Sequence, residues 1–222
     1  MRVNMQPVLL FDMDGTLTDS GLGITKCVQY ALKYFHIEVE NIEDLRCFVG
    51  PPLRSQFHDY AGLNVKECEI AVKKYRERYT TEGIYENDLY PGIEEVILNL
   101  YKDGYRLAVA SSKPQVYVEK ILKYFNLDSY FEVVVGSELD GRREDKAEVI
   151  ETALDRLGIL NERHKALMIG DRKNDVAGAK ACHIKCVGVS YGYGTREELS
   201  LAKADKIVDS VEELNQVIRK GL

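Results

Sequence analysis

Short runs of consecutive apolar residues alternate along this chain with longer stretches in which apolar positions recur every three or four residues. The runs Val8 to Phe11, Tyr105 to Ala110, Phe131 to Val135, Ala166 to Ile169 and Ile184 to Val189 read as strands buried on both faces, with a weaker one at Lys206 to Val208. Helical spacing fills the intervals at Gly92 to Lys102, Gln115 to Phe125, Asp145 to Leu157, Asp175 to Ala181 and Val211 to Arg219. This alternation predicts an α/β fold: a doubly wound, mostly parallel sheet with right-handed crossovers and helices on both faces.

From about Asp19 to Asn87 the rhythm stops, because helical patterns occur there without strands. Ile24, Cys27, Val28, Ala31, Leu32 and Phe35 keep helical spacing, and so do Ile70, Val72, Tyr75 and Tyr79. The predicted organisation is therefore a core of residues 1–18 and 88–222 with an all-helical cap inserted as 19–87. The insertion departs just after an acidic pair and returns before Pro91-Gly92, a placement suited to a lid on two hinges.

Composition narrows the function classes. The chain has 222 residues, 45% hydrophobic and 30% charged, with a formal net charge of −6. That balance offers no field for a nucleic-acid polymer or an anionic membrane, while leaving a small phosphorylated metabolite open as substrate. Cys27, Cys47, Cys68, Cys182 and Cys186 are an odd set without a CxxC pair, which argues for a reducing cytoplasm over a disulfide framework. His183 between Cys182 and Cys186 lacks the second half-site that zinc requires. The start MRVNMQPVLLF is too short and too quickly acidic for a signal peptide, and no apolar run approaches a membrane span. With every amphipathic face assigned to the fold, a monomer is expected.

The chemistry lies in four carboxylates. Asp12 and Asp14 follow the first strand in VLLFDMDGTLTDS, and Asp171 and Asp175 follow a later one in ALMIGDRKNDVAGA. Strand C-terminal ends are where open α/β sheets bind ligands. Acids converging there repel one another unless a cation joins them, and hard carboxylate oxygens suit Mg²⁺. Asp12 and Asp14, two apart, point to one side, and Gly15 lets the backbone turn close to a ligand.

The DxDGT run at Asp12 to Thr16 together with GDxxxD at Asp171 to Asp175 resembles the haloacid dehalogenase superfamily in its phosphatase branch, over essentially the whole chain. The resemblance implies a Rossmann-like core and four site motifs. Asp12 would be the nucleophile that accepts the phosphoryl group, and Asp14 the acid to the leaving oxygen and then the base for water. Ser111 in RLAVASSKP would hold phosphate oxygens, with Ser112 beside it, at the start of a helix opened by Pro114; read alone, both serines are helix caps. Lys146 in GSELDGRREDKAEVI would neutralise the nucleophile and the phosphoryl group, with Arg142 and Arg143 as nearby competitors. Asp171 would bind Mg²⁺ with Asp12 and the carbonyl of Asp14, and Asp175 would bind through water or hold Lys146.

Substrate choice is expected from the insertion. In CFVGPPLRSQF, Gly50 ends a helix, two prolines stiffen the turn and Arg54 sits in a first helical turn, where the dipole disfavours a cation. Gly50 and Arg54 are thus candidate substrate-binding residues, or an ordinary corner with a surface Arg. FVGPPL, SKPQVYVEKIL and GVSYGYGTREEL look like the 5′-nucleotidase subgroup filed near phosphoglycolate phosphatases. Tyr191 stands where many relatives have Trp; with Tyr193 it either shapes the substrate contact or packs beside turn glycines. The expected activity is Mg²⁺-dependent hydrolysis of a nucleoside 5′-monophosphate, with phosphoglycolate or a sugar phosphate as the alternative, and a phosphomutase or a non-catalytic metabolite sensor further off. A dehalogenase would not need Asp14 or the acidic metal site.

Overall fold

The computed structural model describes residues 7–221. Residues 1–6, on which the reading against a signal peptide partly rests, lie outside them. The described chain divides into two compact units, one made of the segments up to Leu17 and from Leu89 onward, the other Thr18–Asp88.

The larger unit is built on six parallel strands: β1 (Val8–Phe11), β4 (Arg106–Pro114), β5 (Val133–Ser137), β6 (Ala166–Gly170), β7 (Lys185–Val189) and β8 (Lys206–Val208), in the order β5-β4-β1-β6-β7-β8. The chain winds outward from β1 through β4 and β5, then crosses back to β6 on the other side of β1. That reversal opens the crevice at the strand C-termini where α/β sheets bind ligands. Every residue of β1 is buried, and its alternation serves two layers. Val8 and Leu10 join a core with Val149, Ile150, Ala153 and Val176, from the helices α6 (Lys146–Arg156) and α7 (Lys173–Ala181). Leu9 and Phe11 are buried on the opposite face, where Phe11 meets the edge of Phe131 with ring centroids 6.3 Å apart. The helices α4 (Ile93–Lys102), α5 (Gln115–Tyr124), α8 (Arg196–Leu201) and α9 (Val211–Lys220) complete the unit.

The second unit holds α1 (Gly21–Lys33), α2 (Leu53–Ala61) and α3 (Val65–Tyr79), with a 3-10 helix over Ile42–Phe48. Its core joins Val28, Ala31 and Leu32 of α1 to Ala71, Val72 and Tyr75 of α3, and Phe48 packs on Phe57 at 5.0 Å. Asn64 and Glu67 form a reciprocal capping box that starts α3.

Three local readings need correction. The strand expected to end at Ala110 continues to Pro114, with a register shift after Ala110 that lets Pro114 pair with Ser137. Ser111 and Ser112 are therefore strand residues and not helix caps, and α5 begins only at Gln115. The inserted stretch is bounded by two strands the pattern did not reveal, β2 (Thr18–Asp19) and β3 (Asp88–Leu89), which pair with each other. Two-residue strands carry too few positions for a period to register. Helix α8 was also unpredicted, although Thr195 caps it by accepting from the Glu198 amide.

Candidate active site

The first acidic pair sits where β1 runs out of hydrogen bonds to share. The Asp12 amide still donates to the Ile169 carbonyl of β6 at 2.9 Å. The chain then turns through Met13, whose carbonyl accepts from the Leu17 amide at 3.0 Å. Gly15 makes the turn possible: its φ is +83°, and a Cβ there would lie 2.1 Å from Asp171 Oδ2. Both acids are buried.

Each acid has its own cation. Lys146, the first residue of α6, donates to Asp12 Oδ1 at 2.8 Å, forms an ion pair with Asp175 Oδ1 at 2.7 Å and reaches the Ala110 carbonyl at 3.1 Å. Its stem packs against α7, where a Cβ on Gly178 would lie 2.7 Å from Lys146 Cγ. Lys113 donates to both oxygens of Asp14 at 2.8 Å. Arg142 and Arg143, the competitors for the first role, are engaged elsewhere: Arg142 with Asp140 at 2.9 Å, Arg143 with Glu138 at 2.5 Å and the Gly136 carbonyl at 2.8 Å.

Asp171, directly after β6, is held by the glycine-rich loop that follows β7. Its Oδ2 accepts from the Tyr193 amide at 2.7 Å, and a Cβ on Gly194 would lie 1.8 Å from the Asp171 carbonyl oxygen. Its Oδ1 is buried without a hydrogen-bond partner. Asp175, in the first turn of α7, accepts from the Arg172 amide at 2.9 Å. Carboxylate oxygens of Asp12, Asp171 and Asp175 all lie within 4.8 Å of one another.

These contacts set the electrostatics. Burial pushes the Asp12 carboxyl up to about 6; the Lys146 ammonium opposes that rise, the Asp175 charge adds to it, and the Ser111 hydroxyl restrains it. Asp171 is pushed well above the usual carboxylate range, by burial first and then by Asp175 and Asp12. Burial alone would lower Lys146, but the two carboxylates outweigh it and raise it. Three carboxylates against one ammonium leave two formal negative charges. A divalent cation matches that excess, and the orphaned Asp171 oxygen is a ready ligand atom for it, so the donor set fits Mg²⁺.

Of the residues singled out from sequence, Asp12, Lys146, Asp171 and Asp175 come together, Asp14 is buried two residues on and held by Lys113, and Ser111 is buried beside Asp12. Ser112 turns away, its hydroxyl donating to the Glu144 carbonyl at 3.2 Å. Gly50 has φ +101° in the second unit, where Arg54 pairs with Glu69 at 2.5 Å. A partner on α3 accounts for a cation in the first turn of α2. Tyr191 donates to the Thr16 carbonyl at 3.1 Å and packs on Tyr90, and Cys182 donates to the Ala147 carbonyl at 3.3 Å. Among the described residues, Cys182, His183 and Cys186 form no metal-capable group. Sequence reasoning missed Lys113; its signal was the two-residue spacing Ser111/Lys113, which repeats that of Asp12/Asp14.

Several known proteins are similar to this chain over most of its length. The chain is 41% identical to a 5′-nucleotidase of Pseudomonas aeruginosa, covering 96% of this chain and 95% of that one. It is 35% identical to the tyrosine-protein kinase PtkA of Mycobacterium tuberculosis, over 95% of this chain and 72% of the other. The crystal structure of a predicted phosphatase from Clostridium acetobutylicum matches with a TM-score of 0.94 at 43% identity, covering 98% of this chain and 100% of that one. No helix among the described residues is long and apolar enough to cross a membrane. The family model of haloacid dehalogenase-like hydrolases matches residues 9–189, and the chain belongs to that family, among its phosphatases.

Proposed function

We propose that this phosphatase hydrolyses nucleoside 5′-monophosphates with Mg²⁺, through a phosphoryl group carried on Asp12. The observation that carries the reading is the division of charge at the β1 edge: Asp12 sits with Lys146 and the three-carboxylate cluster, while Asp14 has a separate cation. That division supports a reading in which Asp12 attacks beside a metal held by the cluster while the Asp14 carboxylate, on its own cation, carries the proton.

In the first step an Asp12 oxygen bonds to phosphorus, the bond to the leaving alcohol breaks, and Asp14 gives that oxygen a proton. Ser111 and Lys146 hold the phosphoryl oxygens. Water then attacks phosphorus, Asp14 takes its proton, and Asp12 is released with inorganic phosphate. Asp12, Asp171, Asp175 and the Asp14 carbonyl would hold Mg²⁺, which supplies charge neutralisation for the phosphoryl oxygens. The reading assigns the part of the substrate beyond its phosphate to the helical unit, with Gly50 and Arg54 as candidates. Identity to a 5′-nucleotidase across nearly the whole of both chains favours a nucleotide.

A kinetic screen with Mg²⁺ over nucleotides, phosphoglycolate and sugar phosphates tests the substrate. A kcat/KM for phosphoglycolate about a hundredfold above every nucleotide, roughly 2.7 kcal/mol of transition-state discrimination, would overturn the assignment. Asp12→Asn should abolish phosphate release while the fold persists by circular dichroism. Product analysis separates hydrolysis from mutase or kinase chemistry, since each of those keeps the phosphoryl group on an organic acceptor.

A further inference from the structure

The pairing of Lys113 with Asp14 separates the two acids in that assignment but is given no step of its own there, and the fold goes to some length to make it. Both side chains are buried, and a lysine is seldom buried without a stringent reason. The β4 register shift between Ala110 and Pro114 falls on the segment from which Lys113 reaches Asp14. The Lys113 amide donates to Ser111 Oγ at 3.3 Å, and Ser112 ties the segment to the Glu144 carbonyl. Gly136 leaves room for the backbone to pass, because a Cβ there would lie 2.5 Å from the Lys113 carbonyl oxygen. Arg143, at φ +57°, secures Gly136 from the other side by donating to its carbonyl.

A two-oxygen grip fixes both side-chain torsions of a short acid. Each carboxylate oxygen has about two lone-pair sites, so a grip that uses one leaves the other to accept. We propose that Lys113 is a positioning residue for the second half of the reaction, holding the Asp14 carboxylate still as it takes the proton of the attacking water. The inference rests on the reading of Asp14 as the proton carrier. In that half-reaction a water oxygen bonds to phosphorus, the Asp12–phosphorus bond breaks, and the water proton passes to Asp14. The same proton serves the leaving oxygen of the next turnover, so protons balance over a cycle.

The consequence is a split between kinetic constants. With 4-nitrophenyl phosphate the leaving group departs without a proton, so kcat/KM reports phosphoryl transfer to Asp12 and kcat reports hydrolysis of the intermediate. In Lys113→Met, measured by stopped flow with saturating Mg²⁺, kcat falls roughly 100-fold while kcat/KM stays within about threefold. Nitrophenolate appears as a burst of about one equivalent per site, and acid-quenched phosphoenzyme accumulates. Lys113→Arg, which keeps the charge but changes the grip, shows the same split with a smaller drop and serves as the readout should the Met variant not fold. Equal falls in kcat and kcat/KM without a burst, or an unchanged kcat, would overturn the proposal. Asp14→Asn separates the two levels. If it bursts and the Lys113 variants do not, the Lys113 role falls alone; if it does not burst, the reading of Asp14 falls and takes the proposal with it.

Discussion

Removing the Lys146 ammonium should destabilise the fold in a strongly pH-dependent way, whatever the substrate. Its nitrogen lies 2.8 Å from Asp12 and 2.7 Å from Asp175, and all three side chains are at most 7% exposed. In Lys146→Met the unbranched stem beside Gly178 is largely kept, so the change is one of charge more than of packing. Two buried carboxylates lose their counter-charge, and Asp12 and the Ala110 carbonyl lose their donor. Breaking a buried ion pair from one side costs about 3–5 kcal/mol, and with two acids bereft the upper end is expected in metal-free protein at pH 8.

Protonation offers an escape. Burial has already raised Asp12 from 3.8 to about 6 against the pull of Lys146, so without that pull it moves higher still. A carboxyl raised on folding contributes most to stability below its unfolded value and loses that contribution as pH rises through its folded value. At pH 5 the variant can therefore neutralise Asp12, and each unit of further shift recovers about 1.4 kcal/mol of the penalty. Urea unfolding with a chelator present, followed by circular dichroism at pH 5 and pH 8, measures both numbers. A loss under about 1 kcal/mol at pH 8, or one as large at pH 5, would refute the reasoning.

Three further outcomes follow from the same geometry. Mg²⁺ should raise the melting temperature more as pH climbs through about 6, because Asp12 and Asp171 are both raised and must lose protons to bind it; a shift independent of pH in differential scanning calorimetry would contradict the metal site. Gly15→Ala meets both a positive φ and a contact of 2.1 Å with Asp171, so Mg²⁺ affinity by titration calorimetry should fall at least about tenfold. In the helical unit, Glu86 binds Arg78 at 2.7 Å and Lys26 at 2.7 Å, and Arg78 holds its carboxyl below the usual range. Its contribution is therefore present above its unfolded value and lost as pH falls; Glu86→Gln should cost about 1–3 kcal/mol by urea unfolding at pH 7 and less at pH 3.

The apolar runs located all six core strands, because a strand buried on two faces has no polar positions to blur it; β1 and β8 agree with the pattern residue for residue. Four carboxylates after two of those strands were enough to anticipate the cluster of Asp12, Asp171 and Asp175, since strand ends fix where such residues must meet. Lys146 was legible among three basic candidates only through a family resemblance, and the pairings of Arg142 and Arg143 with their own loop acids give the physical reason it stands alone.

Other features had no local signature. Lys113 reaches Asp14 from the segment where β4 shifts register, and Gly136 on the neighbouring strand has no room for a side chain against the Lys113 backbone. The glycines of the YGYG loop read as turn formers, whereas their use is steric: side chains at Gly192 or Gly194 would collide with Asp171. Sequence alone determined the fold class and the acids, because periodicity and residue chemistry are local properties. Which cation serves which acid, and which carboxylate oxygen is left without a hydrogen-bond donor, only the tertiary structure decided, because both depend on distances between segments that the chain keeps far apart.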